Sequence, residues 1–405
     1  MKITRVTATS IRIPIPAAPY STENAGTKIG WNGRLSRITP KRPTPSLDYV
    51  LVRIDTDEGL TGIGEAQADM GFFGQSLEEV QSSVEDYLGP QLVGRDPFDR
   101  EYLSWLIDFR GNTCAKAGID LALHDLMGKA LGVPVAALIG GLHKSRVMVA
   151  IEIAGGPPDD MARECVSFME RGVRAFKPKI GADPDVDADR LRAIREAVGP
   201  EVSLRADANQ GYTPKEAIRL CRLAEKYDVR LELLEQPVAA WDLQGMAFVR
   251  RSVDVPIEAD ESCFTIYDAM QIVKHEAADV LNIKIGKVGG LYNAKKVAAI
   301  AEAAGLRCVL GTAWGLGVEV AAKLHLAAST MTVVDAVEFT EIGLHQNLLG
   351  APNDVQLALP LSDGCLPVPT SPGLGVELDE EGVKRFQQYA RSGEFLSHAL
   401  TTDKV

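Results

Sequence analysis

Residues 202–237 read VSLRADANQGYTPKEAIRLCRLAEKYDVRLELLEQP and contain a strand pattern, a helix pattern and a second strand pattern. The first strand pattern covers 201–207. The segment 214–227 has apolar residues at helical spacing, and an apolar run at 230–235 follows it. Two parallel strands need a helical crossover of this kind between them. The stretch therefore predicts one β/α unit of a parallel sheet.

The same alternation extends in both directions from this unit. Helix-like segments such as DADRLRAIREAV and NAKKVAAIAEAAG separate the apolar strands. Eight strand patterns occur, at 147–152, 174–180, 201–207, 230–235, 255–260, 279–285, 307–312 and 333–339. Eight strands alternating with helices predict an α/β fold in which the sheet closes into a (β/α)8 barrel of the TIM type. The eighth helix is expected to be irregular, because HQNLLGAPND follows the last strand.

The residues before the barrel have a different pattern. Residues 1–66 resemble a β-meander with a turn at Glu58 and Gly59, whereas 76–138 contain helical patterns. The clearest of these helices, CAKAGIDLALHDLMGKALGV, is expected to stop at Gly132. An α+β capping domain is therefore predicted in front of the barrel.

We accordingly predict three parts: a capping domain at 1–138, a catalytic barrel at 139–345 and a C-terminal segment at 346–405. The last segment is too irregular for a barrel repeat and is expected to pack back on the capping domain and complete it. A loop at about 14–45 is rich in Pro, Gly and charged residues. Loops this long in a compact domain are usually lids or binding loops, so we expect it to cover the substrate.

Composition excludes several classes of partner. The 405 residues include 43 Lys and Arg against 55 Asp and Glu, a net charge of −12, so the basic face that nucleic acid requires is not expected. No apolar run approaches the roughly 18 residues of a membrane span, and the N-terminus lacks a signal core, so no membrane partner is expected. Six scattered cysteines without metal spacing predict reduced thiols and a cytoplasmic location.

Charged and polar residues recur where successive barrel strands end. Active sites of such barrels lie at the carboxyl ends of the strands. Reading only those ends gives Lys177, Lys179, Asp207, Asn209, Glu235, Asp260 and Lys284. The intervals from Lys179 to Lys284 through the three acids are 28, 28, 25 and 24 residues, each about one β/α unit. Five successive strands are therefore expected to present Lys, Asp, Glu, Asp and Lys at one mouth.

Three carboxylates that converge would raise one another's pKa unless a cation lies among them. Oxygen ligands favour a hard ion, with Mg²⁺ as the leading choice and Mn²⁺ as the alternative. A substrate carboxylate could join such an ion, and the positive charges would stabilise an enediolate intermediate. A lysine beside a cation and another ammonium is expected to have a depressed pKa and to act as a base. Lys179 and Lys284, from opposite sides of the barrel, could reach opposite faces of one carbon.

These motifs resemble those of the enolase superfamily, in the muconate-lactonizing branch of the mandelate racemase/muconate lactonizing enzyme family. FKPKIG (176–181) resembles its KxK motif. RADAN, LEQP, ADES and NIKIGKVGG resemble its metal-ligand and second-lysine motifs, whereas DTDEGLTGIGE, GIDLALHDLMGKALG and PGLGVELD resemble hallmarks of its capping domain. The resemblance covers nearly the whole chain.

The resemblance implies a role for each matching residue. Asp207, Glu235 and Asp260 would bind the metal, and Lys179 and Lys284 would be the acid and base. The residues that would contact the substrate or support the ligands are Lys177, Asn209, Glu261, Trp314 and Glu338. Glu338 and Trp314, expected at the barrel rim, would favour a nitrogen-bearing group through charge and cation–π contact.

Two differences from the motifs of particular branches narrow the choice of branch within the family. The mandelate racemase branch has a His at the end of strand seven, where this chain has GTAW (311–314), which disfavours that branch. The dipeptide epimerase branch of the family carries D-x-D on strand eight to hold an ammonium group. This chain has Glu338, Phe339 and Thr340 there, which puts that substrate class in doubt.

The resemblance implies an isomerase that removes a proton α to the carboxylate of a small molecule. A racemase or epimerase, acting on an amino-acid derivative, is the leading hypothesis, and a homo-oligomer is expected. A muconate-type cycloisomerase, an acid dehydratase (a lyase) and a non-catalytic binding barrel are the alternatives, because one fold hosts all of these functions.

Overall fold

The structure is a computed structural model, and it describes residues 1–14, 46–339 and 361–392. Its N-terminal part contains three strands, β1 (Ile3–Pro14), β2 (Ser46–Thr56) and β3 (Thr61–Ala68). Helices follow in the order α1 (Leu77–Ser82), a π-helical turn (Ser83–Leu88), α2 (Gly89–Leu92), α3 (Arg100–Leu106), α4 (Thr113–Leu131) and α5 (Val135–Leu138).

The three N-terminal strands form an antiparallel sheet in the order β1-β2-β3. Gly59 lies in the left-handed region (φ 78°) at the turn between β2 and β3, as the sequence predicted. Helix α4 packs so closely on this sheet that a side chain on Gly64 would collide with the carbonyl oxygen of Gly118. The helix ends at Gly132, which is also left-handed (φ 70°) and confirms the predicted stop.

The second part alternates strand and helix. Its strands are β4 (Arg146–Ile153), β5 (Ala175–Pro178), β6 (Ser203–Asp207), β7 (Leu233–Glu235), β8 (Ile257–Ala259), β9 (Val280–Ile283), β10 (Arg307–Leu310) and β11 (Ala336–Glu338). Its helices are α6 (Pro158–Met169), α7 (Pro184–Val198), α8 (Pro214–Lys226), α9 (Leu243–Ser252), α10 (Ile266–His275), α11 (Ile285–Val288), α12 (Leu291–Ala303) and α13 (Gly317–Ala328).

The eight barrel strands are parallel neighbours from β4 to β10, and β11 pairs with the other side of β4. The barrel closes because Cys308 in β10 exchanges backbone hydrogen bonds with Thr332 and Val334, just before β11. All eight predicted strands are present, so the (β/α)8 prediction is confirmed. The predicted covering loop at about 14–45, after Pro14, and residues 340–360, where the irregular eighth helix was expected, lie outside the described residues.

The C-terminal segment contacts both domains. Strand β12 (Cys365–Pro367) pairs antiparallel with β4 at the edge of the barrel sheet. Helix α14 (Glu380–Ser392) places Val383 and Phe386 in an apolar cluster with β1 and β2. Helix α14 thus packs on the capping sheet. In the part of the chain that the structure describes, no helix has the length and apolarity needed to cross a membrane.

Glu65, on β3 of the capping domain, joins the cap to the barrel. Its buried carboxylate accepts hydrogen bonds from the backbone N–H groups of Leu316 and Glu319, where α13 begins. Tyr49 on β2 donates its hydroxyl to the carbonyl of Trp314 in the same loop. Because unpaired N–H groups at a helix start attract an anion, this carboxylate both caps α13 and fixes the loop after β10.

We expect Glu65→Ala to lower the free energy of unfolding by about 1–3 kcal/mol, the cost of leaving buried donors at a helix start unpaired. Urea denaturation followed by circular dichroism measures the change. Glu170→Ala, at an exposed position, is the matched control and should leave the unfolding curve in place. Equal stability of the Glu65 and Glu170 variants would contradict the capping role.

Candidate active site at the carboxyl ends of the barrel strands

Three predicted acids lie at the ends of three adjacent strands. Asp207 ends β6 and is directly opposite Glu235, which ends β7. Asp260 follows β8, and its backbone N–H donates to the side chain of Gln236. All three carboxylates are inaccessible to solvent. The barrel register therefore brings them to one edge, as the sequence predicted.

Lys177 lies below this edge and is fully buried on β5. Its Nζ is 2.6 Å from Glu235 Oε2 and 2.7 Å from Glu338 Oε2. Glu152 Oε1 and Asp207 Oδ2 lie at 3.3 and 3.9 Å from the same Nζ. The ammonium of Lys177 therefore forms ion pairs only with carboxylates of the protein among the described residues. It acts as a structural counterion for the acid cluster.

Lys179 follows β5 and points to the same side as Lys177, because residues two apart in a strand share a face. Its Nζ donates to Glu152 Oε1 at 2.8 Å and to Asp207 Oδ2 at 2.7 Å. A quarter of its side chain remains exposed, whereas Lys177 has no exposure. Lys179 is therefore the more accessible lysine of the KxK pair.

Lys284 follows β9, four strands away from β5 in the eight-stranded barrel. Its Nζ donates to Asp260 Oδ2 at 2.6 Å and lies 4.5 Å from the centre of the Phe72 ring. Lys287, one helical turn further on, binds the other oxygen of Asp260. It also donates to the backbone carbonyls of Asp260 and Asn282, at 2.7 and 3.0 Å. The two carboxylate oxygens of Asp260 are thus bound by different lysines, one by Lys284 and the other by Lys287.

The acid cluster carries more negative charge than its lysines neutralise. Burial and then the charge of Asp207 raise the pKa of Glu235 well above its usual range. Burial and Glu338 raise the pKa of Glu258 to about 8. Burial and Asp260 raise the pKa of Glu261 to about 7. An additional cation at this edge would favour the ionised form of these carboxyl groups.

Both mouth lysines have a raised pKa in the protein without a metal ion, because each is paired with a carboxylate. Burial lowers the pKa of Lys179, but Asp207 and Glu152 outweigh it and raise the pKa above the ordinary value. Asp260 likewise outweighs burial at Lys284 and raises its pKa. Each lysine is paired here with an acid that the sequence assigned to a metal ion, so the depressed pKa expected beside a bound cation stays a prediction.

The remaining predicted residues are at different depths. Asn209 donates its side-chain amide to Glu261 Oε1 at 3.1 Å, so these two residues support each other beside the acid edge. Trp314 follows β10, is half-buried and has a left-handed backbone (φ 69°). Glu338 is fully buried on β11 and paired with Lys177, so it does not lie at an open rim as the sequence suggested.

Three residues of the site were missed by the sequence analysis. Glu152 on β4 binds both lysines of the KxK pair. Asn282 on β9 donates to Glu235 Oε1 at 3.1 Å and to Glu258 Oε1 at 2.9 Å. Lys287 binds Asp260. Glu152 and Asn282 could have been found by extending the strand-end reading to the first strand and to inward positions two residues before each end.

A second acid group lies deeper than the predicted one. One carboxylate oxygen from each of Glu235, Glu258 and Glu338 lies within 4.8 Å of the other two. Lys177 and Asn282 already reach into this group. Within this group, Glu258 Oε2 and both oxygens of Glu338 accept no hydrogen bond from the described residues, although Lys177 forms an ion pair with Glu338. Buried all-oxygen donors of this kind fit a hard divalent cation.

The architecture and this polar edge together are those of the enolase class of barrel enzymes, in which an α+β cap covers a parallel barrel. The family profile described as "Enolase C-terminal domain-like" matches residues 160–382. The profile described as "Mandelate racemase / muconate lactonizing enzyme, N-terminal domain" matches residues 42–140. The chain belongs to the mandelate racemase/muconate lactonizing enzyme family of the enolase superfamily.

Relatives across most of the length are isomerases. L-Ala-D/L-Glu epimerase from Clostridium acetobutylicum is 38% identical over 341 residues, which cover 84% of this chain and 93% of the relative. N-succinyl-L-Arg/Lys racemase from Bacillus cereus is 34% identical over 348 residues, 84% of this chain and 92% of the relative. Dipeptide epimerase from Enterococcus faecalis, solved with Mg and L-Leu-L-Tyr, superposes with a TM-score of 0.81 at 32% identity, covering 93% of this chain and all of that one.

Proposed function

We propose that the protein is a Mg²⁺-dependent racemase or epimerase that inverts the carbon α to the carboxylate of an amino-acid derivative. One observation carries this proposal: Lys179 and Lys284 follow strands on opposite sides of the barrel, and each ammonium lies against a carboxylate of the same edge. Inversion needs a proton acceptor on one face of a carbon and a proton donor on the other. A cycloisomerase needs one such lysine only.

The metal is proposed to be held by Asp207, Glu235 and Asp260, with Mn²⁺ as an alternative to Mg²⁺. These acids end three adjacent strands and share one level of the barrel, whereas Glu258 and Glu338 lie deeper, beside Asn282 and Lys177. When bound, a divalent cation supplies positive charge that stabilises the extra negative charge that the substrate carboxylate gains when its α-carbon loses a proton. Asp207 and Asp260 would then be drawn away from Lys179 and Lys284.

The two lysines then perform the chemistry as a pair. One lysine, as the neutral amine, takes the proton from the α-carbon and becomes an ammonium. The other, as an ammonium, gives its proton to the opposite face of the same carbon and becomes neutral. The substrate keeps its number of protons and its configuration is inverted, while the two lysines exchange protonation states and are reset by proton exchange with water. Lys177 stays charged throughout, because it is buried among Glu235, Glu338 and Glu152.

The neighbours of this pair have supporting roles. Asn209 and Glu261 are bonded to each other beside Asp207 and Asp260, where they would orient the ligands or meet the substrate. Trp314, held by the cap through its carbonyl, is proposed as a wall of the substrate pocket.

For the substrate, we favour an N-substituted amino acid whose nitrogen is uncharged, such as an N-acyl amino acid. Glu338 pairs with Lys177 at 2.7 Å and has no exposed surface, so it does not offer its charge to a substrate ammonium. Similarity to an N-succinyl amino-acid racemase supports this class. Dipeptides are the nearest competitor, since two of the similar proteins act on them.

Further proposals concern the domain boundaries, the cellular location, the oligomeric state and the alternative activities. We propose domain boundaries at 138/139 and 345/346, with the last segment completing the cap. We propose a cytoplasmic homo-oligomer, and the six unpaired thiols support a reducing compartment. Muconate-type cycloisomerisation and acid dehydration are the alternative activities, because they share the first proton transfer.

The proposed function is tested by incubating the purified protein with Mg²⁺ in D₂O and following each substrate by ¹H NMR and optical rotation. Four sets of compounds are compared: N-succinyl amino acids, dipeptides, muconates and β-hydroxy acids. We expect N-succinyl amino acids to lose the α-proton signal and optical rotation together, because inversion in D₂O replaces that proton.

The matched control is the set of the same N-succinyl amino acids with the α-carboxyl group converted to a methyl ester. These esters lack the carboxylate next to the reacting carbon and should not react. New lactone signals from muconates, with unchanged amino-acid derivatives, would replace the proposal with a cycloisomerase. Loss of water from a β-hydroxy acid would indicate a dehydratase.

A further inference from the structure

Glu152 is a buried acid beside the two lysines of the KxK pair. It is the last residue but one of β4 and lies directly opposite Lys177 of β5. Only 4% of its surface is exposed. A buried carboxylate is costly unless it is paired and hydrogen-bonded, so its partners indicate its role. Those partners are the ammonium groups of Lys177 and Lys179.

The two lysines do not depend on Glu152 equally. Glu152 Oε1 accepts a hydrogen bond from Lys179 Nζ at 2.8 Å and lies 3.3 Å from Lys177 Nζ. Lys177 has two closer carboxylates, those of Glu235 and Glu338, at 2.6 and 2.7 Å. The charge of Lys177 is therefore balanced without Glu152, and the shorter contact of Glu152 is the one to Lys179.

The other acid that binds Lys179 is a proposed ligand of the metal ion. Lys179 Nζ donates to Asp207 Oδ2 at 2.7 Å, a contact that would be lost when Asp207 turns to the ion. Glu152 would then be the remaining acid paired with Lys179 in the described chain. Lys284 has no second acid of this kind among the described residues, because its one ion pair is with Asp260, another proposed ligand. The two mouth lysines therefore differ in how they would be held beside a bound ion.

The backbone of Lys179 is fixed to the strand that carries Glu152. Its N–H group donates to the carbonyl of Ile153, the next residue after Glu152, at 2.8 Å. Glu152 thus holds the far end of a side chain whose near end is already anchored. A neutral lysine amine has N–H groups and one lone pair. When one N–H group is donated to Glu152, the lone pair must point away from this carboxylate, which limits the directions from which Lys179 can take a proton.

We propose that Glu152 is a positioning residue for Lys179, which keeps Lys179 Nζ in place for proton transfer when Asp207 is bound to the metal ion. The inference rests on the proposed function and adds to it a residue that acts at one face of the substrate carbon only. A displacement of about 1 Å in a reacting group can lower a rate by about 10²-fold. Glu152 should therefore control proton exchange at the face that Lys179 serves and leave the face of Lys284 unaffected.

The test is the rate at which Glu152→Ala and Glu152→Gln exchange the α-proton with D₂O, with Mg²⁺ present. Each configuration of the α-carbon is measured separately, in N-succinyl amino acids and in dipeptides. The configuration that Lys284→Ala still exchanges identifies the face of Lys179. For that configuration we expect Glu152→Ala to lower kcat by about 10–10²-fold with little change in KM, whereas the other configuration should exchange at the wild-type rate.

Two further variants separate positioning from other effects. Glu152→Gln should recover most of the lost rate, because its amide oxygen can still accept the hydrogen bond from Lys179. Glu170→Ala, at the exposed end of α6 in the same β/α unit, is the matched control and should exchange both configurations as the wild type does. Circular dichroism checks that each variant is folded. Equal losses at both faces in Glu152→Ala, or no recovery in Glu152→Gln, would overturn the inference and leave the proposed function intact.

Two measurements do not depend on activity. In a crystal structure of the Mg²⁺-loaded wild type, we expect Lys179 Nζ to remain within about 3.2 Å of Glu152 Oε1. A Lys179 side chain that has left Glu152 in that structure would overturn the inference. Calorimetry with Mg²⁺ alone should give similar affinities for the wild type and Glu152→Ala, and loss of Mg²⁺ binding by this variant would assign Glu152 to the metal site instead. A wild type that exchanges neither configuration would overturn the proposed function and this inference together.

Discussion

Lys179→Ala and Lys284→Ala are each expected to lower the rate of inversion by about 10²–10⁴-fold, the usual contribution of a positioned proton-transfer group. Each variant should nevertheless exchange the α-proton of one enantiomer with D₂O, because the remaining lysine still reaches its own face. The enantiomer that exchanges should differ between the two variants. Measuring exchange and optical rotation in parallel separates loss of one proton transfer from loss of the whole site.

Both alanine variants are expected to fold, because neither leaves the nearby acids without a cation. Lys177 remains 3.3 Å from Glu152 and 3.9 Å from Asp207 when Lys179 is removed. Lys287 remains on Asp260 when Lys284 is removed. Lys226→Ala, on the exposed face of α8, is the matched control and should behave as wild type. Exchange of both enantiomers by either site variant would show that one lysine serves both faces.

The location of the strand-end residues could be predicted from spacing because the barrel repeats one unit. Each β/α repeat returns the chain to the same edge, so Asp207, Glu235 and Asp260 must meet if the strands are assigned correctly. The predicted strands were longer than the observed ones at several places, yet the error did not matter. Strands β5, β8 and β9 end one residue before Lys179, Asp260 and Lys284, so these side chains still lie at the same edge of the barrel.

The partners of these side chains could not be predicted in the same way. Spacing does not fix which inward side chains touch across the barrel, because that depends on strand tilt and stagger. Lys177 was expected near the substrate, yet it lies among Glu152, Glu235 and Glu338. The pairing of Lys179 and Lys284 with acids was missed for the same reason. A pKa depends on the nearest opposite charge, and only the structure shows that Asp207 and Asp260 are that close.

Exhaustive chelation is expected to abolish inversion, and Mg²⁺ should restore it. Asp207→Asn, Glu235→Gln and Asp260→Asn should each abolish both turnover and Mg²⁺ binding, because each removes a proposed anionic ligand from a buried all-oxygen site. Isothermal titration calorimetry with Mg²⁺ alone measures binding without reference to any substrate. Mn²⁺ titrated into the same samples tests the alternative ion.

Glu258→Gln is the decisive comparison, because Glu258 belongs to the tighter acid group but not to the proposed ligands. Glutamine has the same shape, and its carbonyl oxygen can still accept the hydrogen bond from Asn282. If the ligands are the three acids at the strand ends, Glu258→Gln should bind Mg²⁺ nearly as well as the wild type. If Glu258→Gln loses Mg²⁺ while Asp260→Asn retains it, the ion belongs to the deeper group of Glu235, Glu258 and Glu338. Lys177 would then have to leave that group on metal binding, since its ammonium now lies 2.6 Å from Glu235 and 2.7 Å from Glu338.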